Sequence, residues 1–223
     1  MVKFLVDNRE IRAEEGAILL QACLDNGIYI PNLCYIKGLE SASASCRMCF
    51  VEIEGEDKPV TSCTIKVRNG MIVKTSTPSV RKLQRTGLEL LLSVHEVDCR
   101  RCPANKKCDL QRIAKVLKVG LKPKRLERFL KETQREVNHP FLEHFPNRCI
   151  LCGKCVHVCR EKNGRPVLTF AKRGFHTMIS FYGEEDCARL ACKECVACTE
   201  ICPVSALTLK EPLNLYCGLE KSP

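Results

Sequence analysis

The feature that most constrains this chain is a cysteine spacing that occurs twice. Cys149-x2-Cys152-x2-Cys155-x3-Cys159 is matched by Cys192-x2-Cys195-x2-Cys198-x3-Cys202, the second run followed by Pro203. Three thiolates at three-residue intervals can wrap three corners of one iron–sulfur cubane, while the fourth is turned away and ligates another. The spacing therefore assigns Cys149, Cys152, Cys155 and Cys202 to one [4Fe–4S] cluster, and Cys159, Cys192, Cys195 and Cys198 to a second. It implies a pseudo-twofold unit with the two cubanes close together. Zinc is a poor alternative for such a doubled run.

The pattern is that of two-cluster bacterial ferredoxins, with two departures. Arg160 stands where the second run has its proline, and 32 residues separate Cys159 from Cys192. That separation exceeds a short connection and predicts an inserted hairpin around Val167–Phe181.

Eighteen cysteines in 223 residues mean either a secreted disulfide framework or intracellular metal binding. The opening residues, Met1 to Glu10, lack the apolar stretch of a signal peptide, and no run approaches the ~20 apolar residues of a membrane span. A reducing, soluble, cytoplasmic setting with cysteines as ligands is expected, and the clusters then supply part of the folding energy. The formal charge of +10 lies in one place. Residues 100–131 hold twelve Lys and Arg against Asp109 and Glu127, and the remainder balances. A four-thiolate cluster carries about −2 when oxidised, so four of them would leave the loaded protein nearly neutral. Nucleic acid is the other reading of a basic stretch. It is set aside, because this stretch lies between cysteine motifs with little aromatic interleaving.

At the N-terminus, Val2–Val6 alternates like a strand, Asp7-Asn8 is a turn signal, and Glu10–Ala13 returns as a second strand. Ala17–Asn26 reads as a helix stopped by Gly27, with Leu20, Cys23 and Leu24 on one face. Strand, hairpin and helix open a β-grasp domain, in which Cys23 is a buried core residue. Cys34, Cys46, Cys49 and Cys63 follow. One Cys-x2-Cys pair grips an iron from a tight turn, and two outer thiolates approach from other loops. The small residues Ser41 to Ser45 let backbone wrap an inorganic core and donate N–H groups to it. Spacing favours a [2Fe–2S] cluster over zinc, which usually takes two such pairs.

Thr77-Pro78 caps a helix whose face is Val80, Leu83, Gly87, Leu90, Leu91 and Val94, ending near His95. His95-x3-Cys99-x2-Cys102-x5-Cys108 comes next. One imidazole and three thiolates suit a cubane or a zinc ion, and spacing alone does not separate them. Leu110, Ile113, Ala114 and Leu117 then mark a short helix with Arg112, Lys115 and Lys118 pointing away. Residues 120–144 read as a basic linker with a helical piece around Lys124–Val137, in which His139 and His144 are expected at the surface. Cys187 and Cys217 remain without a role, although Cys187 lies close enough to Cys192 to compete as a ligand.

The order of these motifs resembles the N-terminal iron–sulfur region of the large subunit of respiratory complex I. It is equally similar to the small diaphorase subunit of NAD-linked hydrogenases and to the front part of iron-only hydrogenases. The resemblance runs from Val2 to about Leu209. It implies an α+β chain of three units: a β-grasp [2Fe–2S] domain over 1–78, a small helical domain with one histidine and three cysteines over 79–119, and a two-cubane ferredoxin domain over 145–212. A tail spans 213–223. It implies a [2Fe–2S] cluster on Cys34, Cys46, Cys49 and Cys63. It also implies a [4Fe–4S] cluster on His95, Cys99, Cys102 and Cys108, supported by the matching Asp98 and Leu110-Gln111. In all, one [2Fe–2S] and three [4Fe–4S] clusters are expected. The segment between Cys102 and Cys108 is more basic than usual for the family and lacks its common glycine.

No dinucleotide or phosphate-binding glycine motif occurs, so no nicotinamide or flavin site is expected and no catalytic residue is assigned. The expected role is a non-catalytic electron-transfer subunit. It would relay single electrons between an NAD(H)-linked flavoprotein and a second catalytic subunit, a hydrogenase, a formate dehydrogenase or a related reductase. Pro223 falls before any further catalytic domain, so a separate subunit is expected. A free ferredoxin-like carrier and a zinc-stabilised binding module are the competing readings.

Overall fold

The computed structural model describes residues 1–39, 41–132, 139–164, 167–181, 192 and 195–210. The expectations for Cys187, Cys217 and the 213–223 tail lie outside them.

Strand β1 (Val2–Val6) sends Val2, Phe4 and Val6 inward, as its alternation requires. Asp7 and Asn8 both take positive φ, 48° and 66°. That pair of left-handed residues matches the strand twist and turns the chain into β2 (Arg9–Ala13). Helix α1 (Leu19–Asp25) buries Leu19, Leu20, Ala22 and Cys23. Burial, reinforced by the negative charge of Asp7, pushes the Cys23 thiol up to about 12, so it stays a neutral core group. Strands β3 (Phe50–Ile53), β4 (Val60–Thr61) and β5 (Ile72–Lys74) complete a five-stranded sheet of order β2-β1-β5-β3-β4. Only the β1–β5 pairing is parallel.

Helix α2 (Pro78–Ser93) starts where the sequence places it, with Thr77 Oγ1 accepting the Val80 N–H at 3.2 Å. Replacing Thr77 by Ala should lower stability by about 1 kcal/mol. The expected signature is a lower thermal midpoint with cluster absorbance unchanged at 25 °C. The buried face of α2 is rotated from the one read in the sequence. It runs through Val80, Gln84, Gly87, Leu88 and Leu92, and leaves Leu90 54% exposed. Two polar requirements turn it. The Gln84 amide donates to Phe50 O at 3.1 Å, and Gly87 meets the Arg47 carbonyl. Helix α3 (Asp109–Leu117) buries Leu110, Ile113, Ala114 and Leu117 as predicted.

The basic segment after α3 is not helical over 124–132. Pro123 precedes it, and its main-chain groups bond outward instead. The Phe129 N–H donates to Ser93 O at 2.9 Å, the Lys131 N–H to Asn147 Oδ1 at 2.8 Å, and Arg125 pairs with Glu89. These residues form a strap that ties α2 to the C-terminal unit. The rest of the expected helical piece lies outside the described residues.

In that unit β6 (Leu142–His144) pairs antiparallel with β9 (Leu207–Leu209), placing His144 opposite Leu207. Between them lie α4 (Lys154–Asn163), the β7–β8 hairpin (Leu168–Ala171 with Met178–Phe181) at the predicted insertion, and α5 (Ala197–Glu200). His139 and His144 are not at the surface but 1% and 5% exposed. His139 Nδ1 accepts the N–H groups of Phe141 and Leu142 where β6 begins, with its ring 4.2 Å from Phe181, and His144 occupies an inward strand position. Among the described residues no helix is long and apolar enough to cross a membrane.

Candidate metal centres

Cys34, Cys46, Cys49 and Cys63 are all buried, and their thiols meet in two pairs. Cys34 Sγ lies 3.4 Å from Cys46 Sγ, and Cys49 bonds with Cys63. The loop that brings them together uses two left-handed residues, Ala44 and Arg47. The hydrogen-bonded contact with Cys46 holds the Cys34 thiol below its usual range against the opposing effect of burial, helped by the main-chain N–H of Cys46 and the hydroxyls of Ser45 and Ser43. Leu33 N–H points at Cys46 Sγ, 3.4 Å away. The serine run therefore does more than make room, because two of its hydroxyls stabilise a thiolate.

His95, Cys99, Cys102 and Cys108 line one pocket with Leu92 and Leu110. Burial lowers the pKa of His95, so its imidazole is neutral, the form that can bind metal. Its ring is hydrogen-bonded to the main chain at Arg148, while Nδ1 is buried with no partner among the described residues. One nitrogen held by backbone and the other unsatisfied is the arrangement of a metal-ligating histidine. Burial also raises the Cys108 thiol. Gln111 braces the loop before Cys108, accepting from Lys106 N–H at 2.9 Å and donating to Asn105 Oδ1 at 3.1 Å. The left-handed residue this loop requires is Lys106, at φ 67°.

Cys149, Cys152, Cys155 and Cys202 line a second pocket. Burial pushes the Cys149 thiol up to about 12. It also raises Cys155, to which the charges of Cys149, Cys152 and Cys202 add. N–H groups of Leu151 and Ala206 point at Cys149 Sγ and Cys202 Sγ, at 3.4 and 3.2 Å. Cys159 sits one helical turn beyond Cys155 on α4 yet keeps other company. Its charge, with those of Cys192 and Cys195, adds to burial in raising Cys198 to about 12, and burial raises Cys192 to about 11. The Val167 N–H and the Asn163 amide point at Cys159 Sγ, at 3.4 and 3.6 Å. Each of the last two groups of thiols therefore mixes the two runs.

These donor sets fit iron–sulfur clusters. Four thiols share one pocket and three share another with an imidazole whose Nδ1 is unsatisfied, and amide hydrogens are aimed at sulfur. Sequence reading missed the hydroxyls of Ser43 and Ser45, the contact of Gly87 with Arg47, and the burial of His144 in the second pocket. Only the period-2 pattern Leu142-Glu143-His144 could have signalled the last.

Three family models match in order. They are a 2Fe-2S iron-sulfur cluster binding domain over 1–78, the NADH-ubiquinone oxidoreductase-G iron-sulfur binding region over 84–121, and the ferredoxin-like domain of NADH-quinone oxidoreductase subunit 3 over 139–208. The chain thus carries three consecutive iron–sulfur domains. It is similar in sequence and fold to iron–sulfur subunits of NADH-ubiquinone oxidoreductases and of an NAD⁺-reducing hydrogenase. It is 36% identical to the NADH-ubiquinone oxidoreductase 75 kDa subunit of Reclinomonas americana over 94% of its own length and 30% of that protein's. It is 35% identical to the NADPH-Fe(3+) oxidoreductase alpha subunit of Geobacter sulfurreducens, over 94% and 24%. The chain therefore spans under a third of these relatives. Among solved structures, a chain of an NAD⁺-reducing [NiFe]-hydrogenase in its H2-reduced state superposes with TM-score 0.80 at 28% identity, covering 100% of this chain and 90% of that one.

Proposed function

We propose that this chain is the electron relay of an NAD(H)-linked oxidoreductase complex, receiving single electrons at one end and delivering them at the other. The observation that carries the reading is the middle hydrophobic core. Cys34 and Cys46 of the first site, Cys108 of the second, and Cys149, Cys152 and Cys202 of the third all pack against it, around Leu33, Leu88, Leu92 and Ile113. Cys149 also adjoins the last core, which holds Cys155, Cys159, Cys192 and Cys198. Burial raises the Cys152 thiol, and the charges of Cys202 and Cys34 add to it, so the first and third sites are electrostatic neighbours. Bound clusters supply one-electron chemistry at these positions. The protein supplies their spacing, a dry surrounding and N–H donors at sulfur.

In this reading Cys34, Cys46, Cys49 and Cys63 hold one [2Fe–2S] cluster. The three [4Fe–4S] clusters are held by His95, Cys99, Cys102 and Cys108; by Cys149, Cys152, Cys155 and Cys202; and by Cys159, Cys192, Cys195 and Cys198. The three units run over 1–78, 79–119 and 145–212. The partners are a flavin- and NAD(H)-binding subunit and a second catalytic oxidoreductase subunit, in the cytoplasm. The similarity to subunits of an NADH-ubiquinone oxidoreductase and of an NAD⁺-reducing hydrogenase supports this pairing.

The test is assembly and reduction. The anaerobically purified chain should contain about fourteen iron and fourteen sulfide ions, and NADH should reduce it only with a flavoprotein subunit present. Zinc in place of iron, or direct reduction by NADH alone, would defeat the proposal. Replacing His95 by Ala should lower iron by about four per chain and leave the [2Fe–2S] signal intact, checked by iron analysis and EPR. Undiminished iron in that variant would remove His95 from the ligand set.

A further inference from the structure

His144 has no part in the ligand sets, yet it lines the pocket formed by Cys149, Cys152, Cys155 and Cys202. It is 5% exposed, and both ring nitrogens are buried with no hydrogen-bond partner among the described residues. A buried polar group left unpaired is destabilising, so such groups are nearly always satisfied. The strand fixes its direction. In β6, Leu142 and His144 are buried while Glu143 between them is half-buried, and the pairing with Leu207 holds that register.

We propose that His144 donates an N–H hydrogen bond to a sulfur of the cubane held by those four cysteines, and so raises the reduction potential of that centre. This rests on the ligand assignment above. The surroundings supply the chemistry. A neutral imidazole carries one N–H, and among the described residues no protein group accepts it here. The nearby Lys131 ammonium donates one hydrogen bond to Thr177 O at 2.6 Å. The cluster and its thiolates are the negatively charged acceptors at this pocket. One more electron on the cluster makes its sulfurs better acceptors, so the hydrogen bond stabilises the reduced state more than the oxidised one. His139, the neighbouring buried histidine, differs in that its Nδ1 already accepts two backbone N–H groups.

The experiment is an EPR-monitored redox titration of the full chain, with iron and sulfide measured on the same samples. His144→Phe should make reduction of one four-iron centre about tenfold less favourable, about 59 mV for one electron, and leave the other centres in place. His144→Gln, which keeps an N–H, should recover most of that shift. If the ligand assignment itself is wrong, Cys202→Ser and Cys155→Ser will not lose the same four-iron centre, whatever His144→Phe does. If His144→Phe loses the cubane, pulsed EPR on histidine-¹⁵N protein decides. A weak nitrogen coupling at this centre, absent from His144→Gln and distinct from the strong coupling of ligating His95, supports the proposal. Unchanged midpoints in a fully loaded His144→Phe, or no weak coupling in the wild type, overturns it.

Discussion

Replacing Cys202 by Ser should remove one cubane and leave the other centres and the [2Fe–2S] signal in place. The lesion should appear at the site otherwise built from the earlier cysteine run. Cys202 belongs to the later run in sequence, but it lines the pocket of Cys149, Cys152 and Cys155 and sits under the Ala206 N–H. Its β9 neighbour Leu207 pairs with β6, which leads into Cys149. A serine hydroxyl stays protonated where a thiol can ionise, so it is a far weaker iron ligand. Iron should fall by up to about four per chain. Three other variants sharpen the result. Cys155→Ser should give the same spectral lesion as Cys202→Ser, whereas Cys198→Ser and Cys159→Ser should share a different one. The stability effect should be large, on the order of several kcal/mol, because a cluster bound only by the folded state contributes its binding energy to folding. The thiols left behind do not compensate. Burial holds Cys149 at about 12, so without iron it remains a neutral thiol packed beside its equals. If Cys202→Ser and Cys155→Ser gave different lesions, the crossed ligation would be wrong.

How much of this could be read from the chain alone depended on whether a residue's role is local. The Asp7-Asn8 hairpin, the Thr77 cap and the buried face of α3 are set by spacings within one or two turns, and they appear where the pattern puts them. The hairpin between Cys159 and Cys192 was legible as surplus length. The failures are nonlocal. The face of α2 reads from its leucines, but it is turned by a glutamine that donates to Phe50 O and a glycine that lets the Arg47 carbonyl approach. The basic strap looks helical by composition, yet its amides are taken by Ser93 and Asn147, residues far from it in sequence. His139 and His144 looked like surface residues because no cysteine is adjacent. Their burial follows from the pairing of β6 with β9.

Gly87 is where that nonlocal packing should have its sharpest consequence. On propensity alone Gly87→Ala should stabilise α2 by about 1 kcal/mol, since glycine is a poor interior helix residue. The structure reverses the sign. A Cβ at Gly87 would lie 2.7 Å from the Arg47 carbonyl oxygen, 3.3 Å from its carbonyl carbon and 3.5 Å from Cys46 O. All three are backbone, so no flexible side chain can swing away. Arg47 is itself held in a left-handed conformation between Cys46 and Cys49, so the loop has little freedom to retreat. Overpacking of this kind costs about 1–3 kcal/mol. Here the strain falls on the turn that places two thiols of the [2Fe–2S] site. Gly87→Ala should therefore lower the thermal midpoint and perturb the [2Fe–2S] EPR signal, while the four-iron signals persist. Gly87→Val should abolish the two-iron signal outright. Leu90→Ala, on the exposed side of the same helix, is the control and should stay within about 0.5 kcal/mol of wild type. A Gly87→Ala protein with a raised midpoint and an unaltered two-iron signal would mean that α2 does not press on the ligand loop.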